Sequence, residues 1–129
     1  MPGWTIRKVE EAQNVFEGNY PGEMRFLSDP LATEQVAITY RRMPRHTGGK
    51  GSHGHYHRTQ EELYFVISGK LQFKLDDEVV DVEGPACVKV PPEVARSVWN
   101  DERGDAELLI VSTRMEGEDA VLVEDFWPE

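Results

Sequence analysis

The chain has 129 residues, enough for one domain with a working hydrophobic core and no need of disulfides. Its 24 acidic against 14 basic side chains give a formal charge of -10, which argues against nucleic acid, since polyanion binding depends on clustered Lys and Arg. The lone Cys87 cannot close an intrachain bridge, and neither the start MPGWTIRKVEE nor any later run has the apolar length of a signal, an anchor or a membrane span, so a cytoplasmic protein with no membrane partner is expected.

In chain order, residues 5–9 are expected to form a first strand, residues 10–17 a helical turn or loop, and residues 24–27 a second strand. Val36, Ile38 and Tyr40 then alternate with Ala37 and Thr39, the period-two pattern of a strand with one apolar face. Leu71, Phe73 and Leu75 alternate in the same way with Gln72 and Lys74, and Ala86, Val88 and Val90 with Cys87 and Lys89. Ser68-Gly69, Asp76-Asp77, Glu83-Gly84-Pro85, Pro91-Pro92 and the loop at residues 100–105 stand between these runs as turns. Hardly a segment repeats every three to four positions, so the chain reads as a single all-β domain over residues 1–129, a sandwich or barrel. Cys87 reads as a buried or semi-exposed structural thiol, and Phe73 and Trp99 as residues that line the barrel or cover its outside, with core packing the default for both. Val121, Val123, Phe126 and Trp127 form an apolar stripe in an acidic tail, which is expected to dock on its own sheet or on a second subunit.

All four histidines fall between His46 and His57, with carboxylates directly after them and no histidine beyond. Neutral imidazole together with Glu suits first-row divalent metals. In a strand, residues two apart share a face, so His55 and His57 point the same way, with their Cα atoms roughly 6.5 to 7 Å apart. Glu62 opens the next apolar run on the face of Tyr64 and Val66, whereas Glu61 lies opposite. His53 is flanked by Gly51 and Gly54 and reads as a rim residue, and His46 as an exposed loop residue. The basic cluster Arg41, Arg42, Arg45 and Lys50 and the acidic stretches at residues 76–83, 100–107 and 116–129 read first as solvated faces. A functional version makes the basic stretch a rim that attracts an anionic substrate toward the histidines.

Gly49, His55, His57, Glu62 and Gly69 reproduce the pattern G(x)5HxH(x)4E(x)6G at every fixed position. In this the chain resembles a small single-domain cupin, a conserved-barrel protein, over about residues 35–111. The resemblance implies a double-stranded β-helix, or jelly-roll barrel, with the histidines pointing into its mouth, the N-terminal strands and C-terminal tail packed on it, and a homodimeric assembly. The second cupin motif, G(x)5PxG(x)2H(x)3N, is degenerate: aligned on Pro91 and Asn100 it places Glu93 at the second glycine and Arg96 at the fourth ligand. Arg is always protonated and has no lone pair for a metal. A guanidinium about 5 Å from a divalent ion is repelled by roughly 6 to 7 kcal/mol at an effective dielectric near 20. Arg96 therefore swings outward and leaves a metal on His55, His57 and Glu62, or pairs with Glu62 in a metal-free pocket, or faces inward to hold an anion.

Two functional readings follow. In one, His55, His57 and Glu62 hold one divalent ion (Fe, Mn, Ni or Zn) with open positions, as suits dioxygenase-like or isomerase-like chemistry on a small molecule that Tyr64 or Arg96 orients. In the other, the barrel is a metal-free binding module, and Arg96 gives bidentate recognition to an anionic metabolite.

Overall fold

Alternation along the strands turns one face of each inward, and two antiparallel sheets close over those faces. The computed structural model describes residues 3–129. In chain order the strands are β1 (Glu23–Phe26), β2 (Val36–Met43), β3 (Thr47–Gly48), β4 (Ser52–His57), β5 (Glu62–Ser68), β6 (Lys70–Leu75), β7 (Glu78–Glu83), β8 (Ala86–Val90), β9 (Arg96–Asn100), β10 (Ala106–Thr113) and β11 (Ala120–Trp127). One sheet has the order β1-β2-β10-β5-β8; the other runs β11-β4-β9-β6-β7, with β3 paired to β9. The result is the double-stranded β-helix, or jelly roll, that the sequence predicts. No helix among the described residues is long and apolar enough to cross a membrane.

The two sheets meet in a core of Met43, Val66, Leu71, Phe73, Val90 and Leu108. The Phe73 ring stands edge-on to Tyr64 with centroids 5.6 Å apart. Gly69 turns β5 into β6 at φ +83°, and a Cβ there would lie 2.8 Å from Ala106 Cα, so both the left-handed backbone and the close approach call for glycine.

Three expectations change. Residues 5–9 form no strand: Trp4 and Ile6 are exposed, and Val9–Glu11 is a short 3-10 turn whose Glu11 carboxylate accepts the Lys8 N–H at 3.0 Å. Its backbone hydrogen bonds are local ones, from the Glu11 N–H to the Lys8 carbonyl and from the Ala12 N–H to the Val9 carbonyl. On β2 the apolar set Val36, Ile38 and Tyr40 lies on the outer face, because register against β10 pairs Arg41 with Leu108 and Thr39 with Ile110. Leu108 and Ile110 belong to the core side, so Thr39, Arg41 and Met43 are the inner residues of β2. Trp99 alternates with the buried Val98 and so lies on the outer side of β9, where it stacks on His46.

Cys87 is exposed on β8, opposite in parity to the buried Val90. The acidic tail docks on its own sheet: β11 pairs antiparallel with β4, setting Leu122 across from His55 and Ala120 across from His57.

Candidate metal centre and cavity

Strand geometry brings together three of the residues singled out by spacing. His55 and His57 share a face of β4, and Glu62 enters from the first position of β5 after the turn at residues 58–61. His55 Nε2 lies 3.5 Å and His57 Nε2 3.3 Å from the same Glu62 oxygen, Oε1. The imidazoles stand nearly perpendicular, with ring centroids 5.0 Å apart. One ligand atom from each of the three residues falls within 4.8 Å of the others.

Asp119, just before β11, completes the cluster and was not singled out by the sequence. Its Oδ2 lies 3.2 Å from His57 Nδ1, while the Thr59 hydroxyl donates to Oδ1 at 2.6 Å and the Gln60 N–H to Oδ2 at 2.7 Å. Burial pushes the Asp119 carboxyl up, but these hydrogen bonds outweigh it and hold the group at about 2. Asp119 is therefore an anion placed to accept Nδ1–H of His57, and in the neutral ring this leaves the Nε2 lone pair on the Glu62 side.

That buried Nε2 has no hydrogen-bond partner. In that tautomer a lone pair faces a carboxylate, an arrangement that calls for a proton or a metal cation between them. The separations of 3.3 and 3.5 Å match the roughly 3.3 Å expected between two ligand atoms that share a tetrahedral ion at about 2.0–2.1 Å. Donor type, spacing and the orphaned nitrogen thus all fit a divalent metal.

Glu62 is also the meeting point of the remaining polar groups. The Tyr64 hydroxyl donates to Oε1 at 2.8 Å. Burial alone raises the Glu62 carboxyl; the two neighbouring imidazoles and the hydrogen bond from Tyr64 bring it below its ordinary value. Tyr64 itself is pushed well up by burial and by the neighbouring Glu62 charge.

Arg96 does not swing outward: it is 0% exposed, opposite His55 in the register between β4 and β9. Its Nη2 donates to the Pro91 carbonyl at 2.7 Å, and Nη1 lies 3.4 Å from Glu62 Oε1 without an aligned hydrogen bond. This excludes the placement in which Arg96 swings outward to leave the metal; an ion on His55, His57 and Glu62 has to sit beside an inward guanidinium, whose charge Glu62 offsets.

A cavity of about 480 Å³ opens beside this cluster, within the range of small-molecule sites. His55, Tyr64 and Arg96 line it on one side and Phe16, Met24 and Ile110 on another. His53 is exposed on its rim, as expected, and His46 stands apart, 3.7 Å from Asp101. Gly54, between His53 and His55, lets the Phe126 side chain of β11 close against β4, since a Cβ there would strike that ring and the Arg96 carbonyl.

A family model described as Cupin domain matches residues 43–112, more than half of the chain. No curated protein matches the sequence. Among solved structures, a candidate sugar phosphate isomerase of Acidithiobacillus ferrooxidans superposes with a TM-score of 0.65 at 20% identity, over 79% of this chain and 64% of its own. The chain thus spans less than two thirds of that protein. A cupin protein of Bacteroides fragilis gives 0.67 at 20% identity, over 92% of both chains. The polyketide cyclase RemF of Streptomyces resistomycificus gives 0.73 at 13% identity, over 95% of this chain and 85% of its own. At such identities the likeness is one of fold.

Proposed function

The chain belongs to the cupin domain family, and from that premise we propose that it is a divalent-metal-binding cupin acting on a small molecule held in its cavity. The observation that carries this reading is His57 Nε2, buried without a hydrogen-bond partner, facing Glu62, with its other nitrogen at Asp119. His55, His57 and Glu62 would hold the ion. When bound, a divalent ion with open positions polarises a substrate oxygen or, if iron, supports oxygen chemistry. Asp119 fixes the His57 tautomer, Tyr64 orients Glu62, and Glu62 offsets the Arg96 charge. Both an isomerase-like and a dioxygenase-like reaction suit this arrangement. The names of the fold neighbours, a candidate sugar phosphate isomerase and a polyketide cyclase, make small oxygen-rich molecules a reasonable first substrate panel.

The test is elemental analysis of protein purified without a metal-affinity tag, beside His57→Ala treated identically. Near-stoichiometric metal in the wild type and its loss in the variant are expected; equal content in both overturns the assignment.

A second reading is favoured by one contact, Arg96 Nη1 at 3.4 Å from Glu62 Oε1. Here the carboxylate neutralises the guanidinium and the barrel works as a metal-free binder of a small anion. Wild-type protein that takes up no ion even when loaded with Mn, Fe, Ni or Zn supports it. A homodimer belongs to the primary proposal, and its test is the molecular mass in solution.

A further inference from the structure

Arg41 enters the same cavity from β2, away from the histidines, and its charge has no ion pair among the described residues. Its Nε is buried and without a hydrogen-bond partner. Burial draws its pKa below the ordinary value, and the titratable groups nearest it are the phenols of Tyr20 and Tyr64 rather than a carboxylate. An arginine stays protonated even so. The Phe16 ring covers one side of the guanidinium, 5.7 Å from centroid to carbon. The next residue shows how different this is from a structural arginine. Arg42, on the outer face, reaches Glu23 at 2.7 Å and Asp105 at 2.9 Å.

A chain with 24 acidic side chains has thus paired its outward arginine twice and left the inward one without an acid. A half-buried cation without a counter-charge is a ready partner for an anion that enters the cavity. Register places the two ends of the cavity. Arg41 lies in one row with Leu108 and Val66, whereas Glu62 lies in a row with Ser112, which faces Ala37. Those rows are four residues apart, about 13 Å along the strands. The row between them holds Thr39, Ile110 and Tyr64, and Met24 and Phe16 add apolar surface to the cavity wall.

We propose that the cavity takes a small organic carboxylate, its carboxylate gripped by Arg41 and its other end directed to the His55–His57–Glu62 cluster. The grip on the carboxylate stands by itself; only the destination of the other end rests on the metal reading. A single guanidinium matches a planar monoanion in charge and in its two-pronged geometry. A phosphate dianion would call for a second free cation beside Arg41, and the other guanidinium of the cavity, Arg96, is turned to Glu62 and to the Pro91 carbonyl.

Calorimetric titration tests this with benzoate, its neutral isostere benzamide, and phenyl phosphate. Each is titrated into wild type, Arg41→Met and Arg41→Lys, all both chelator-treated and Mn-loaded. Benzoate is expected to bind the wild type in both states, and benzamide to bind weaker by roughly ten-fold or more. Arg41→Met should lose benzoate affinity by a similar factor, Arg41→Lys should keep part of it, and both variants should take up Mn like the wild type. Equal benzoate affinity in wild type and a cooperatively melting Arg41→Met overturns the proposal. So does benzamide binding as well as benzoate, or no benzoate binding to the wild type, and tighter phenyl phosphate binding overturns the carboxylate class. Should the protein take up no Mn at all, the chelator-treated titration still decides on Arg41, so failure of the metal reading is told apart from failure of this one.

Discussion

His57 Nδ1 lies 3.2 Å from Oδ2 of Asp119, a residue 62 positions further along the chain. The contact crosses from β4 to the start of β11 and decides which imidazole nitrogen faces Glu62. Carboxylates in this role sharpen ligand basicity and orientation, and their loss lowers metal affinity by about 10–100-fold. Asp119→Asn is expected to show a loss of that size in competition titration with a chelating dye, with a cooperative melt retained.

Arg96 and a divalent ion at the cluster repel one another, and Arg96→His removes the charge while supplying a nitrogen at the same position. We expect divalent affinity to rise by roughly ten-fold or more, given the size of the charge repulsion. Loss of the Arg96 hydrogen bond to Pro91 should cost about 1 kcal/mol of stability. Unchanged or weaker metal binding by a folded Arg96→His would count against a metal at His55, His57 and Glu62.

Phe73 is fully buried and packs edge-on against Tyr64, the side chain that orients Glu62. Phe73→Ala should destabilise the fold by about 3–5 kcal/mol through lost contact and the cavity left behind. Denaturant unfolding measures this directly, and a change below about 1 kcal/mol would be inconsistent with the burial described.

Glu23 joins Arg42 and Arg25 on the outer face, and hydrogen bonds first from Arg42 and then from Arg25 hold its carboxyl below the ordinary value. A lowered native pKa makes this contribution complete above the unfolded carboxylate value of about 4.3 and removes it as pH falls through the lower native value. Glu23→Gln should therefore be less stable than wild type at about pH 6, with the difference shrinking in more acidic solution. Urea titrations at several pH values check the sign; a gap that widens toward acid would contradict it.

Much of the fold was legible because strand alternation is a local property. Leu71 and Phe73 on β6 and Val90 on β8 are buried where their parity says they should be. Val36, Ile38 and Tyr40 show the limit, since alternation tells which residues share a face but not which face is inside. Pairing of β2 with β10 made that choice, and with it turned Arg41 from a residue of a basic surface cluster into a cavity cation.

Spacing alone brought His55, His57 and Glu62 to one place, because residues two apart on a strand and the first residue after a short turn have little freedom to separate. It also flagged Arg96 in place of a fourth histidine. Asp119 could not be found in the same way: it stands in an acidic tail among other carboxylates, and only the pairing of β11 with β4 singles it out. The sequence by itself determined several of the strands, the histidine pair and the missing ligand, all of which depend on neighbours within a few residues. Tertiary structure alone decided that Arg96 faces inward beside Glu62, that Asp119 fixes His57, and that Arg41 enters the cavity without an acidic partner, because each depends on strand pairings between segments far apart in the chain.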